Sequence, residues 1–336
     1  MTQHRIFITG VAGFLGSHLA EAFLNDGHQV AGNDNLIGGY LDNVPEGCDF
    51  HQVDCSDFVT MKDLLEGVDI VYHCAATAYD GLLVFSPHMV TQNIVTASTG
   101  VISASVASWV KRSVMCSSMA RYGENQIPFT EDLEPWPQDP YGIGKYMSEM
   151  ILRNLAEVHD MGWVIAVSHN IFGPRQKYDD PYRHVASIFM NLMLQGRQPY
   201  IYGDGNQMRC FSFITDVIEP LKRRAFQDSV LGEVINTGPD DEFVTIRELA
   251  EIIADLLDFP LEATYTRKRP QEVYLANCSA DKARRLLGYQ PTVPLRDGLK
   301  RMVDYIKQRG VRHFTYHLNL KIVNESTPDT WAKTLF

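Results

Sequence analysis

Gly10, Gly13 and Gly16 follow directly on the apolar stretch Arg5-Ile6-Phe7-Ile8-Thr9. A strand that ends in such a loop and leads into an amphipathic segment restricts the fold more than any other feature of the chain. Gly10 permits a tight turn, Gly13 lets backbone approach a ligand closely, and Gly16 lets a helix pack on the strand. The helical pattern over 17–25 then offers unpaired N–H groups to an anion such as a pyrophosphate. The spacing G-x-x-G-x-x-G departs from the usual G-x-G-x-x-G, and a glycine loop alone reads equally well as a structural turn.

The rest of the N-terminal half decides for a doubly wound sheet. Strand-like runs at 5–9, 29–33, 48–53, 70–74, 114–117 and 164–168 alternate with helical patterns at 17–25, 58–65, 94–110 and 141–159. Such β-α alternation predicts an α/β, Rossmann-like parallel sheet with helices on both faces. Residues 1–169 form the expected dinucleotide-binding domain. Residues 170–336 form a smaller, mixed substrate lobe, with helices at 185–195, 246–257 and 295–309 and a strand at 233–237 returning to the sheet. The tail 312–336 shows no period, and the sequence assigns it no role.

With 45% apolar and 21% charged residues, the chain has the composition of a globular protein. A net charge of −11 argues against a nucleic-acid or anionic-membrane partner. No apolar run is long enough to cross a bilayer, and the N-terminus lacks a signal-peptide pattern. The six cysteines form no CxxC pair, and Cys55, Cys74 and Cys116 read as small core residues. The expectation is a reduced, soluble, cytoplasmic protein without a metal. His313 and His317, four residues apart, lack a third ligand and read as ordinary tail residues.

Asp34 ends the second strand-like run. A carboxylate there accepts hydrogen bonds from ribose hydroxyls and repels a 2′-phosphate, which favours NAD over NADP; within Asn33-Asp34-Asn35 it also reads as a turn residue. Tyr141 and Lys145 stand one helical turn apart, with Ser118 upstream at the end of an apolar run. A phenol with a pKa near 10 is a poor base, and a neighbouring ammonium favours the phenolate. Ser118 can then position a substrate oxygen for proton transfer. Without the glycine loop, an exposed helical Tyr and Lys would be the simpler reading.

Further ordered segments carry a family resemblance. They are Val53-Asp54, His73-Cys74-Ala75-Ala76, Ser117-Ser118-x-x-x-Tyr122-Gly123, Tyr141-x-x-x-Lys145, Asn170-Ile171-Phe172-Gly173-Pro174-Arg175, Tyr202-Gly203-Asp204-Gly205-x-x-x-Arg209 and Arg269-Pro270. With the glycine loop they span about residues 5 to 285, and the chain resembles the extended short-chain dehydrogenase/reductase family, especially its nucleotide-sugar 4-epimerases. The resemblance implies NAD held by Gly10, Gly13, Phe14, Leu15, Gly16, Asp34, Asn35, Asp54, Cys55, Ala75, Ala76, Thr77 and Asn93, together with Tyr141 and Lys145. It implies catalysis by Ser118, Tyr141 and Lys145, and a substrate diphosphate held by Asn170, Arg209 and Arg269. It further implies a homodimer built from the helices 94–110 and 141–159.

Relatives that dehydrate sugars resemble one another in an Asp-Glu pair directly after the Ser/Thr, and those that decarboxylate carry a Glu close by. Here Met119 and Ala120 stand in those places. The expectation is therefore NAD-dependent 4-epimerisation of a UDP-sugar (a hexose, an N-acetylhexosamine or a uronate) through a 4-keto intermediate. A dehydratase or reductase of the same family and a non-catalytic dinucleotide sensor are the alternatives. The chain departs from the family pattern at Val167, His169 and Cys210. His169 reads either as a substrate contact or as a packing residue, and Arg121 suggests an acidic sugar. Ala276, a position that limits space beside the sugar, suggests room for a bulky group.

Overall fold

The computed structural model describes residues 2–79, 84–318 and 320–336. Seven parallel strands form the central sheet: β1 (Arg5–Thr9), β2 (Gln29–Asn33), β3 (Asp49–His51), β4 (Ile70–His73), β5 (Arg112–Ser118), β6 (Gly162–Ser168) and β7 (Val234–Thr237). Their order is β7-β6-β5-β4-β1-β2-β3. The direction of winding reverses between β1 and β4, whose register pairs Thr9 with His73. In doubly wound sheets a ligand crevice opens at that point, outside the carboxyl ends of the strands.

Apolar residues fill both faces. Ile6, Ile8, Val30, Tyr72 and Val114 pack on one side, and Phe7, Val71, Met115, Ile165 and Val167 on the other. This near-continuous apolarity is what a parallel sheet covered twice requires. β1 and β2 have the expected ends, whereas β3 is shorter than the run at 48–53 and β5 and β6 start two residues before theirs.

The helical run expected over 94–110 is a longer, composite element. It starts with Pro87 in its first turn, passes through a π-helical turn at Gln92–Thr96 and continues as Ala97–Ala107. Pro is favoured in a first turn because its missing N–H is unpaired there in any case. Helices Ile214–Arg223 and Asp281–Leu287 also lie outside the expected set. The first carries Pro220 inside it, although Ile214, Val217, Ile218 and Leu221 recur at helical spacing on its buried face, and the second has only seven residues.

Helix Pro140–Val158 begins where Asp139 Oδ1 accepts the Gly142 N–H at 2.7 Å, an N-cap followed by Pro at the first helical position. Gly142 lies so close to the turn after β5 that a Cβ would stand 2.5 Å from Ala120 O. Only glycine lets the helix seat there, which brings Tyr141 to the end of the strand carrying Ser118.

Candidate active site

The crevice is a cavity of about 370 Å³. Its wall takes in every candidate residue named from the sequence except His169 and Arg121: the glycine-loop residues, Asp34, Asn35, Asp54, Cys55, Ala75–Thr77, Asn93, Ser118, Tyr141, Lys145, Asn170, Arg209, Arg269 and Ala276. Asn93 lies in the π-helical turn, a distortion frequent at functional sites.

Gly10 turns with φ +72°, and a Cβ on it would stand 2.9 Å from Ala75 Cα. The loop therefore crosses the end of β4 at a distance only glycine allows. A Cβ on Gly16 would lie 2.2 Å from Gly10 O, so the following helix, Phe14–Asn25, is drawn tight against the loop. No side chain caps that helix at Gly13, and its first turn lines the cavity, an arrangement open to a pyrophosphate. Asp34 Oδ2 accepts from Ala12 N at 3.1 Å and Oδ1 from Leu36 N at 2.7 Å. Burial raises its pKa, and those backbone donors oppose the rise. Asn35 Nδ2 donates to Asp54 Oδ2 at 2.8 Å. A narrow glycine floor with carboxylates at one end fits a dinucleotide whose ribose hydroxyls need acceptors.

Lys145 is 2% exposed and donates to Cys116 O at 2.8 Å. Burial lowers its pKa, against the pull of the neighbouring Cys116, Cys74 and Glu149. Tyr141 is 8% exposed at the start of the same helix. Ser118 Oγ accepts from Ala120 N at 3.2 Å and so stays at the end of β5. Met119 and Ala120 line the cavity beside it, and neither can exchange a proton. Behind this wall, Thr9 Oγ1 meets His73 Nδ1 at 2.8 Å, and His73 Nε2 meets Ser98 Oγ at 2.9 Å. Burial takes the His73 pKa from 6.5 down to about 3, keeping the ring neutral.

The structure places two residues that the sequence left open away from the cavity wall, against the substrate contact expected of them. His169 is fully buried and its Nε2 lies 3.0 Å from Pro239 O, so it packs behind the cavity instead of lining it. Arg121, 2% exposed, pairs with Glu149 Oε2 at 3.3 Å and stacks on Tyr122 and Tyr146, with no place in the cavity wall. The short 3-10 turn Met119–Arg121 directs it away from the site. The hint of an acidic sugar goes with it. Glu149, which the sequence reading missed, also accepts from Ser117 Oγ and so ties β5 to the helix that carries Lys145. Its position four residues beyond Lys145 was the available signal.

At the opposite end from Asp34 the wall is cationic. Arg209 donates to Met208 O at 2.8 Å and to Tyr274 O at 3.0 Å. Arg269 donates to Glu272 Oε1 at 2.5 Å and lies 5.0 Å above the Tyr202 ring. Burial raises the Glu272 pKa, but the two arginines outweigh it and hold the carboxyl below its usual range. Asn170, at φ +44°, donates to Cys210 O at 2.7 Å. A left-handed non-glycine residue costs strain that clusters at functional sites. Arg183, also missed, lines the cavity near the Asp34 end, where it donates to Gly38 O at 3.1 Å and its charge draws the Asp34 pKa down; nothing in its flanking sequence marks it.

A model of the NAD dependent epimerase/dehydratase family matches residues 6–238. The chain belongs to that family. A putative UDP-glucose 4-epimerase of Methanocaldococcus jannaschii is 32% identical over 314 residues, covering 91% of this chain and 99% of the relative. A UDP-N-acetyl-alpha-D-glucosaminuronate decarboxylase of Bacillus cytotoxicus is 29% identical, covering 91% and 98%. Among solved structures, the UDP-glucuronic acid 4-epimerase of Bacillus cereus, in complex with UDP-glucuronic acid and NAD, superimposes with a TM-score of 0.85. It is 28% identical and covers 91% of this chain and all of its own. Among the described residues there is no cluster able to hold a metal and no helix long and apolar enough to cross a membrane.

Proposed function

We propose that the chain is an NAD-dependent 4-epimerase of a UDP-sugar. The observation that carries this reading is the wall around Ser118: Tyr141 and Lys145 beside it, and Met119 and Ala120 where removal of water would need an acid–base pair and decarboxylating relatives carry a Glu close by. The glycine floor and Asp34 hold NAD, and Arg209, Arg269 and Asn170 hold the substrate diphosphate, a task suited to guanidinium forks.

The residues divide the work as follows. Tyr141, as phenolate, takes the proton of the sugar 4-hydroxyl, and Lys145 favours that phenolate by its charge. Ser118 hydrogen-bonds the same oxygen and fixes its approach. Bound NAD supplies the hydride acceptor for C4 and the donor that returns it. Between these events the keto sugar must turn over, and Ala276 leaves the wall beside it without a bulky side chain. Tyr141 then gives its proton back to the oxygen on the other face.

A decarboxylase is the second reading, because one of the relatives above bears that name. Incubation with UDP-glucose, UDP-N-acetylglucosamine and UDP-glucuronate, followed by NMR of the products, separates the two. The expected result is an equilibrium pair of 4-epimers from at least one substrate. A pentose or a stable keto or deoxy sugar as sole product would overturn epimerisation.

A homodimer fits the outer face of helix Pro140–Val158. Ile143, Met147, Met150 and Val158 are 51, 48, 55 and 68% exposed, an apolar stripe at helical spacing. Light scattering at micromolar concentration should give twice the 38.0 kDa chain mass; a monomer refutes the pairing.

A further inference from the structure

The relatives described above are spanned over nearly their whole length by 91% of this chain, and the family match begins at residue 6. The tail from residue 312 lies beyond that family match, which ends at residue 238. The described residues of that tail, 312–318 and 320–336, reach the cavity wall both beside the catalytic residues and at its cationic end.

Beside the catalytic residues, His317 Nε2 and Tyr79 Oη are 3.0 Å apart. The N–H groups of Lys321 and Ile322 donate to Phe85 O at 3.1 and 2.9 Å. Tyr79, Phe85 and Tyr141 share one apolar cluster with Trp331 of the tail. At the cationic end, Thr330 Oγ1 hydrogen-bonds Tyr202 Oη, whose ring carries the Arg269 guanidinium. Trp331, 5% exposed, and Phe336 wall a second cavity of about 80 Å³, which shares Arg209, Arg269 and Glu272 among others with the main one and is lined by rings such as Tyr182 and Tyr202 beside aliphatic side chains such as Val185 and Ile188.

We propose that the tail is a specificity segment of the substrate site: through Thr330 and Trp331 it holds Tyr202 and Arg269 for the nucleotide, and through His317 it holds Tyr79 beside Tyr141. The inference rests on the functional reading above. A guanidinium already stacked and hydrogen-bonded loses less freedom when it grips a phosphate, so holding Tyr202 in place raises affinity without a new contact. Thr330, Trp331 and His317 are thus positioning residues.

The test is calorimetric binding of UDP and, separately, of NAD to full-length variants, with turnover measured alongside. Trp331→Ala should raise the Kd for UDP at least tenfold and Thr330→Val at least threefold, both keeping NAD affinity within twofold. Trp331→Phe should restore most of the UDP affinity. His317→Ala should lower kcat at least threefold with the Kd for UDP unchanged. UDP binding and turnover within twofold of wild type in Trp331→Ala, Thr330→Val and His317→Ala would overturn the inference alone, as would parallel losses of UDP and NAD affinity. A wild-type chain that binds no UDP overturns the functional reading and this inference together.

Discussion

The two ends of the cavity are built on different principles. The end made by β1, β2 and β4 is mostly backbone: a glycine turn crossing Ala75 at contact distance, an uncapped helix start, and Asp34 held by two backbone N–H groups. The opposite end is made of long side chains: Glu272 and Tyr202 hold Arg269, and backbone carbonyls of Met208 and Tyr274 hold Arg209. A backbone cradle tolerates little variation in shape, whereas a side-chain cradle can be retuned residue by residue. The first suits a cofactor common to a family, and the second suits a substrate that differs among its members.

Substitutions at the two ends should therefore separate cofactor, chemistry and substrate. Tyr141→Phe sits between them and carries the largest effect. It removes the proton acceptor while leaving the ring in its cluster, so turnover should fall by about 10²–10⁴-fold with UDP and NAD affinities unchanged. Turnover within tenfold of wild type would remove Tyr141 from the chemistry.

Arg269→Ala addresses the side-chain end. A charge-assisted contact is worth about 1.5–3 kcal/mol, so UDP affinity should drop by about ten- to a hundredfold in calorimetry while NAD affinity holds. An equal loss of both ligands would mean that the two ends are not independent.

The smallest effect concerns the support behind the cofactor end. Unfolded, His73 takes up a proton below its ordinary value of 6.5; folded, it does so only near 3. The unfolded chain thus binds the extra proton between those values. The stability that His73 contributes is full above pH 6.5 and is lost as pH falls toward 3, by about 1.4 kcal/mol per pH unit from this one group. Burial lowers His18 and His169 as well, so the comparison must be with a variant. Urea unfolding from pH 6.5 to 4.5 should show a shallower decline for His73→Asn than for wild type. Identical slopes would mean that the ring is already charged in the native protein.

The same contrast explains what could be read from the sequence. β1, β2 and the glycine loop were legible because each is set by neighbours a few residues away, in apolar runs and turn chemistry. Tyr141 and Lys145 were legible because helical spacing fixes them on one face. Arg121 and His169 could not be placed because closeness in sequence to Ser118 or Asn170 says nothing about which way a side chain points. A 3-10 turn sends Arg121 to Glu149, and the packing of His169 on Pro239 is a contact across 70 residues. The tail was illegible for the same reason taken further: Tyr79 and His317 meet across 238 residues, with no local period to announce it.

The central claim is that hydride leaves and returns to the same carbon within this cavity while Tyr141 moves the hydroxyl proton. It is tested most directly by incubating the NAD-loaded protein with UDP-glucose and UDP-N-acetylglucosamine deuterated at C4, followed by mass and NMR analysis of the product sugars. The expected result is a 4-epimer that keeps its deuterium at C4. Deuterium lost to water, or a product short by one water, would contradict it.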